Sequence, residues 1–320
     1  MRESLWALCI VCLPPCFLAE GELRADATSE QRLTRSLQRK IHGMQTVSRA
    51  AVLLWSHDGS RQAVYKAAGS KTRFPVASVT KPFTALALMR MVEAGHVGLD
   101  DRVRRHIPGY PSRATTLRDL LQHTLRTDPQ SGAKVFRYGN RNYKDLKRII
   151  EKYSRATLPT YFLKQIIHPA GMRRTRAPRS NGASGIRASG SDLLRFGRII
   201  LAGGRTEKGR LLSEASLREM LRPPAYVRGG RRMNYYGPGW RVERVAGKIT
   251  AVYHTGYWKG DCAELRILPR QRAVIVILGR VKDFKTALRF RSEVRRRFYR
   301  MLEARALPRV VSGTERQGTL

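Results

Sequence analysis

The sequence predicts an α+β fold: an antiparallel β-sheet flanked by helices, with a mostly helical subdomain inserted. Three observations predict it. Apolar β-like runs occupy both ends of the chain, at 50–55 and 61–67 early on and at 249–254, 263–267 and 273–278 late. Helical spacing fills the interval between them. A sheet drawn from both ends requires the middle of the chain to leave it and return, which is an insertion. At 320 residues and 42% hydrophobic content, the chain suffices for one large domain, or one domain with a subdomain.

Residues 31–44 place Leu33, Leu37, Ile41 and Met44 at helical spacing, a helix for the outer face of the sheet. His57-Asp58-Gly59-Ser60 turns between the first two strands. Residues 71–77 are extended and run into an apolar helix carrying Phe83, Leu86, Leu88, Met89, Met91 and Val92, closed by Gly95. An arginine-rich connection follows through Pro108 and Pro111, and Thr115 or Thr116 caps a short helix over 116–124. Residues 143–153 and 161–167 are helical. Gly190-Ser191-Asp192 starts a helix over 191–201 that Gly203-Gly204 stops, and 212–220 add another. Pro269-Arg270-Gln271 turns between the last two strands. Asp283 caps a final helix on which Phe284, Leu288, Val294, Phe298 and Met301 share one face. The predicted organisation is a signal peptide over 1–26, a domain over 27–307 with its helical subdomain at about 98–205, and a disordered tail over 308–320.

Charge bounds the partners. The chain carries 62 Lys+Arg against 24 Asp+Glu, a net charge of +38. Such a balance favours anionic partners. The basic residues are scattered, with clusters at 102–105, 173–179, 228–232 and 289–300. No zinc-finger spacing, RNA-binding aromatic motif or basic zipper accompanies them, so the expectation is no nucleic acid but electrostatic association with an anionic cell envelope. Arg2 followed by an uncharged apolar stretch over 5–18 reads as an export signal, too short to span a bilayer and interrupted by Pro14-Pro15. The expected location is periplasmic or extracellular. Lipidation at Cys16 is the alternative, disfavoured by Leu13-Pro14-Pro15 before it. Cys9, Cys12 and Cys16 lie in or beside the signal, leaving Cys262 as a buried strand residue without a disulfide partner. No later stretch is apolar enough to cross a membrane. No metal-ligand cluster and no cofactor motif is present.

Ser78-Val79-Thr80-Lys81 reads S-x-x-K at the start of the apolar helix. Residues three apart on a helix are neighbours, so a hydroxyl and an amine stand side by side. A partly desolvated lysine has a lowered pKa and can take the serine proton. Backbone N–H groups at a helix start favour developing negative charge. Alone, S-x-x-K is a weak signal. Two later segments strengthen it: Tyr138-Gly139-Asn140, a Y-x-N pattern, and His254-Thr255-Gly256, an H-T-G pattern at the end of a β-like run.

With the three motifs in this order, the sequence resembles the serine β-lactamase and penicillin-binding protein superfamily. It is most similar to the branch of class C β-lactamases, D,D-carboxypeptidases, D-aminopeptidases and related esterases. Stretches such as TLRDLLQHT, YFLKQIIHPAGM and YGPGW are similar too, and the resemblance runs from about Ala50 to about Gly279. It implies a β-lactamase/transpeptidase-like fold and an exported serine hydrolase acting through an acyl-serine intermediate on a peptide, amide or ester. Ser78 would be the nucleophile and Lys81 its base. Tyr138, a phenol between cations, would lose or relay a proton near neutral pH. Asn140 would orient Lys81 and donate to a substrate carbonyl. His254 would assist the leaving group or, when protonated, hold a substrate carboxylate, with Thr255 and Gly256 completing the substrate-binding strand. The backbone N–H groups of Ser78 and Tyr257 would form the oxyanion hole. The substrate is a small molecule or a peptide, and no metal or cofactor is implied.

Three departures from the family pattern stand out. His123-Thr124 continues as Leu125-Arg126-Thr127 rather than Ser-Gly-Leu. Only residues 125–135 separate that point from the Y-x-N region, which predicts an open site on that side. Tyr257 is bulky where relatives are often small, which predicts a restricted acyl pocket. These features, with H-T-G in place of K-T-G, point to a peptidase or esterase rather than an efficient β-lactamase. The alternative expectation is a catalytically weak or inactive envelope-binding protein on the same fold.

Overall fold

The computed structural model describes residues 27–222, 225–228 and 233–306. The predicted signal peptide, its three cysteines and the predicted tail lie outside the described residues.

The chain begins with helix α1 (Ala27–Gly43), strands β1 (Val47–Ser56), β2 (Arg61–Lys66) and β3 (Arg73–Pro75), then helix α2 (Thr80–Glu93). Helices α3 (Val103–His106) and α4 (Leu117–Gln122) precede a small hairpin, β4 (Arg126–Thr127) with β5 (Lys134–Val135). Helices α5 (Asn140–Ser154) and α6 (Leu158–Phe162), strand β6 (Arg187–Ser189) and helix α7 (Gly190–Leu201) follow. A second small hairpin, β7 (Arg205–Thr206) with β8 (Gly209–Arg210), leads to α8 (Glu214–Leu221). Strands β9 (Ala225–Arg228), β10 (Met233–Tyr236), β11 (Arg241–Val245), β12 (Lys248–Trp258), β13 (Asp261–Leu268) and β14 (Ala273–Val281) lead to the last helix, α9 (Phe284–Ala306).

The main sheet runs β2-β1-β14-β13-β12-β11-β10-β9 and is antiparallel throughout. Strands β1 and β14 pair next to the β2 edge, so the two chain ends close one sheet, as the sequence predicts. Both faces are buried. On β14, Val274, Val276 and Leu278 face the core shared with α2 and α7, whereas Ile275 and Ile277 face the core shared with α1 and α9. A strand covered on both faces reads as a continuous apolar run, which is why 273–278 shows no polar alternation.

Five differences from the sequence reading matter. Strands β9 to β11 were not predicted, because arginines, glycines and Pro238 dilute the apolar pattern there. Strand β12 continues to Trp258, past the predicted end at His254, so H-T-G lies inside a strand. Helix α5 begins at Asn140, three residues early, and Ser189 rather than Gly190 caps α7 by accepting from the Asp192 N–H. On α9 the buried stripe is Ala287, Phe290, Val294, Phe298 and Met301. Phe284 and Leu288 lie on its flank, 52% and 48% exposed, and do not share the core face.

Gly279 makes room for that stripe: a Cβ there would stand 2.9 Å from the Phe290 ring. Phe290 is fully buried between α9 and the sheet. Phe290→Ala is expected to cost about 3–5 kcal/mol of stability, read as a lower denaturant midpoint at unchanged slope.

Candidate active site

Ser78 lies in a 3₁₀ turn, Ala77–Val79, immediately before α2. Three constraints set its position. The Val76 N–H donates to the Ile186 carbonyl at 3.0 Å, and the Val79 N–H donates to the Val76 carbonyl at 3.0 Å. Ala77 takes φ +46°, a left-handed conformation that costs a non-glycine residue on the order of 1 kcal/mol. Strand β12 packs directly on the turn: a Cβ on Gly256 would lie 2.2 Å from the Val76 carbonyl oxygen and 3.1 Å from the Ser78 nitrogen. Gly256 is glycine because the backbone of H-T-G touches the serine turn.

Lys81, one turn on, is fully buried. Its Nζ lies 3.1 Å from Ser78 Oγ, 2.8 Å from Asn140 Oδ1 and 3.2 Å from the Ala183 carbonyl. Asn140 reaches it as the first residue of α5, which packs against α2. The rings of Tyr138 and Tyr143 cover the amine at 4.7 and 5.5 Å. Burial, helped by the Arg241 charge, pushes the Lys81 pKa down to about 7. A neutral amine has two N–H donors and one lone pair. The Asn140 and Ala183 oxygens can only accept, so they take the two donors, and the lone pair then faces the Ser78 hydroxyl. The arrangement can remove the Ser78 proton.

Tyr138 hydrogen-bonds Ser78. Desolvation raises its pKa above the ordinary phenol value, against the pull of that hydrogen bond and of Arg241. The expectation that Tyr138 loses its proton near neutral pH is therefore corrected: it stands as a phenol, able to donate. His254 needs a similar correction. It is buried, and its Nδ1 lies 2.8 Å from the Thr255 carbonyl and its Nε2 3.0 Å from the Tyr236 hydroxyl. The carbonyl can only accept, so the proton sits on Nδ1 and Nε2 accepts from Tyr236. Burial and the Lys81 and Arg241 charges hold its pKa well below the usual imidazole value. A neutral ring bonded at both nitrogens does not hold a carboxylate as an imidazolium.

Strand parity separates the rest of H-T-G. His254 and Gly256 face Ser78, whereas Thr255 and Tyr257 face α9. The Tyr257 ring packs 5.1 Å from the Phe284 ring, so its bulk does not narrow the Ser78 side. Thr255 lines a cavity of about 320 Å³ with Arg241, Arg266, Arg291 and Arg295. Around it, the four guanidinium groups meet two carboxylates, Glu243 and Glu264. The cavity is therefore electropositive. Strand β11 pairs with β12 only as far as Arg241 opposite Tyr253, so 254–258 have no strand partner on that side among the described residues.

Two residues outside the motifs belong to the site. Arg241 places its guanidinium 5.9 and 5.7 Å from the Tyr138 and Tyr236 rings and also lines the cavity beside Thr255. His123 is fully buried at φ +60°, 4.6 Å from the Tyr138 ring and 4.8 Å from the Tyr236 ring. Its Nδ1 accepts from Asn142 Nδ2 at 3.0 Å, and burial pushes its pKa down to about 3, so it is an uncharged wall. One arginine among 62 basic residues carries no sequence signal, whereas His123 stood in the departing H-T segment. Residues 125–135 form the small β4–β5 hairpin, exposed along most of its length.

The Beta-lactamase family model matches residues 30–293. The chain belongs to that family. It is 25% identical to Penicillin-binding protein 4* of Bacillus subtilis (strain 168) over 284 residues, covering 66% of this chain and 61% of that one. It is 25% identical to Protein flp of Staphylococcus aureus over 160 residues, 39% and 32% of the two chains. The alignment thus spans less than two thirds of either relative. Among solved structures, the D-amino acid amidase of Ochrobactrum anthropi SV3 matches with TM-score 0.72 at 16% identity, over 87% of this chain and 100% of that one. The penicillin-binding protein of Bacillus halodurans matches with TM-score 0.69 at 17% identity, over 84% and 98%. Among the described residues no group could hold a metal ion, and no helix is long and apolar enough to cross a membrane.

Gly256→Ala is expected to destabilise by about 1–3 kcal/mol through the contact with the Val76 carbonyl, seen as a lower melting temperature.

Proposed function

We propose that this protein cleaves an amide or ester bond through an acyl intermediate on Ser78, on a peptide or small molecule that carries an anionic group. The observation that carries the reading is the buried Lys81 amine, held 2.8 and 3.2 Å from two carbonyl acceptors and 3.1 Å from Ser78 Oγ. In this reading Ser78 Oγ attacks the substrate carbonyl while Lys81 takes its proton. The new C–O bond places charge on the carbonyl oxygen, which the backbone N–H groups of Ser78 and Tyr257 receive. Tyr138 protonates the leaving nitrogen or oxygen as its bond to carbon breaks, and the Lys81 proton then restores the phenol. Water reverses the sequence: it gives a proton to Lys81 and attacks the acyl carbon, and as the bond to Ser78 Oγ breaks the Lys81 proton passes to Oγ, releasing the acid and restoring the serine hydroxyl.

Arg241 and Thr255, at the open edge of β12, would hold the substrate's anionic group in place of a charged His254. The D-amino acid amidase named above and the D-stereospecific amidohydrolase of Streptomyces sp., a match with TM-score 0.67, lend support to amide chemistry. We further propose export, supported by Arg2 and the uncharged stretch over 5–18. N-terminal sequencing of the protein from the cell envelope tests this, and retention of Met1 there would oppose it.

Intact-protein mass spectrometry after mixing with a penicillin is expected to show a lasting adduct that Ser78→Ala lacks. Hydrolytic activity or an adduct surviving in Ser78→Ala would overturn the mechanism. Lys81→Met is expected to slow acylation by about 10²–10⁴-fold. No adduct on the native chain, with the penicillin left intact, would favour an esterase with a narrow pocket or an inactive envelope-binding protein.

The acylation rate is expected to rise with pH through an inflection near 7, since the base must be neutral and the Lys81 pKa is about 7. Removing a neighbouring cation favours the ammonium form, so Arg241→Gln moves that inflection to higher pH. His254 is expected to add no inflection between about pH 5 and 8.

A further inference from the structure

Large apolar side chains concentrate at the outer end of β12. Trp258 is 65% exposed, Phe284 52% and Leu288 48%, the three most exposed large hydrophobic side chains among the described residues. Trp258 ends β12, and Phe284 and Leu288 lie at the start of α9. Phe284 and Leu288 stand one helical turn apart at the start of α9, and the Phe284 ring packs 5.1 Å from the Tyr257 ring. Trp258 follows Tyr257 on the opposite face of the strand, so the patch wraps around the strand end. Scattered single hydrophobics on a surface are ordinary, but a contiguous exposed group marks a binding surface.

The rim of this patch is basic. Lys259, Arg280, Lys282, Lys285 and Arg289 are exposed around it, against Asp261 and Asp283. Asp261 is already paired with Arg280 at 3.1 Å, and Asp283 accepts from the Thr286 N–H at 2.7 Å to cap α9. Lys259 Nζ lies 5.8 Å from the Trp258 ring centroid. Exposed tryptophan, phenylalanine and leucine inside a ring of lysines and arginines match a membrane interface. The rings seat at headgroup level, and the cations meet anionic lipid phosphates.

We infer that the end of β12 with the first turns of α9 is a docking surface for an anionic lipid bilayer. Docking there would bring the open edge of 254–258, and the cavity beside Thr255, close to the membrane surface. Substrates attached to that surface would then be the ones presented. The inference does not depend on acyl transfer at Ser78: it rests on exposed side chains, of which Leu288 also lines the cavity beside Thr255.

The test is sedimentation of the full chain with vesicles of phosphatidylglycerol and phosphatidylethanolamine, against vesicles of phosphatidylcholine alone, over a salt series. The native protein is expected to bind the anionic vesicles at low salt and to shift its tryptophan emission to the blue. Trp258→Ser/Phe284→Ser/Leu288→Ser is expected to weaken binding at least about tenfold at every salt concentration and to abolish the shift. Lys259→Gln/Lys282→Gln/Lys285→Gln is expected to weaken binding on the order of a hundredfold at low salt and flatten the salt dependence. Unchanged far-ultraviolet circular dichroism and melting temperature establish that both variants fold. The inference is overturned if the native protein ignores anionic vesicles. It is equally overturned if the apolar variant binds as the native chain does, because the +38 charge alone would then hold it. Binding to purified peptidoglycan but not to vesicles would also overturn it.

Discussion

Removing an amine from water and leaving it charged costs several kcal/mol unless an anion answers it. Among the described residues no carboxylate pairs with Lys81; its polar neighbours are a hydroxyl, an amide oxygen and a backbone carbonyl, under two tyrosine rings. The site meets that cost by holding the lysine on the edge of neutrality. Much of the local architecture keeps it there. Helix α5 begins at Asn140 so that the side chain reaches the amine, and α2 packs on α5 to exclude solvent. Arg241 adds a like charge from the far side. The surrounding histidines are driven neutral by the same desolvation and the same charges.

Strand β12 connects this buried amine to the open side of the molecule. Its alternation puts His254 and Gly256 against the serine turn and sends Thr255 and Tyr257 to the α9 face. The close approach at Gly256 fixes the distance between the strand and Ser78, while the end of β11 at Arg241 leaves the following edge unpaired. One strand therefore offers backbone to the proposed reacting carbonyl and side chains to a cationic cavity. Arg241, at the junction, acts on both: it depresses the Lys81 pKa and adds to the positive lining beside Thr255.

The substitution of histidine into the H-T-G pattern has a physical consequence here. A lysine at that position would bring a third basic side chain into a site that already holds Lys81 and Arg241. Neutral His254 avoids this and uses both ring nitrogens to bind Thr255 and Tyr236. Positive charge for substrate recognition is thereby shifted outward, to Arg241 and the arginines of the α9 face. Beside the short β4–β5 hairpin, His123, Phe136, Tyr138 and Tyr236 form an aromatic cluster.

The sequence by itself determined the fold class and the closing of the sheet by both chain ends, and its motifs singled out Ser78, Lys81, Tyr138, Asn140 and Gly256, which the structure brings together. Each of these rests on local pattern: continuous apolar runs, helical spacing, or short motifs with few alternatives. Only the tertiary structure decided the protonation of Tyr138 and His254, because burial and neighbouring charge come from residues distant in sequence. It also decided which way Thr255 and Tyr257 point, since a strand's register against its partners fixes its parity and a motif does not. Arg241 became visible only when β11 was paired with β12, and that strand is too rich in arginine and too close to Gly237, Pro238 and Gly239 to read as one. The exposure of Phe284 and Leu288 followed likewise from where α9 meets the sheet, not from its helical period.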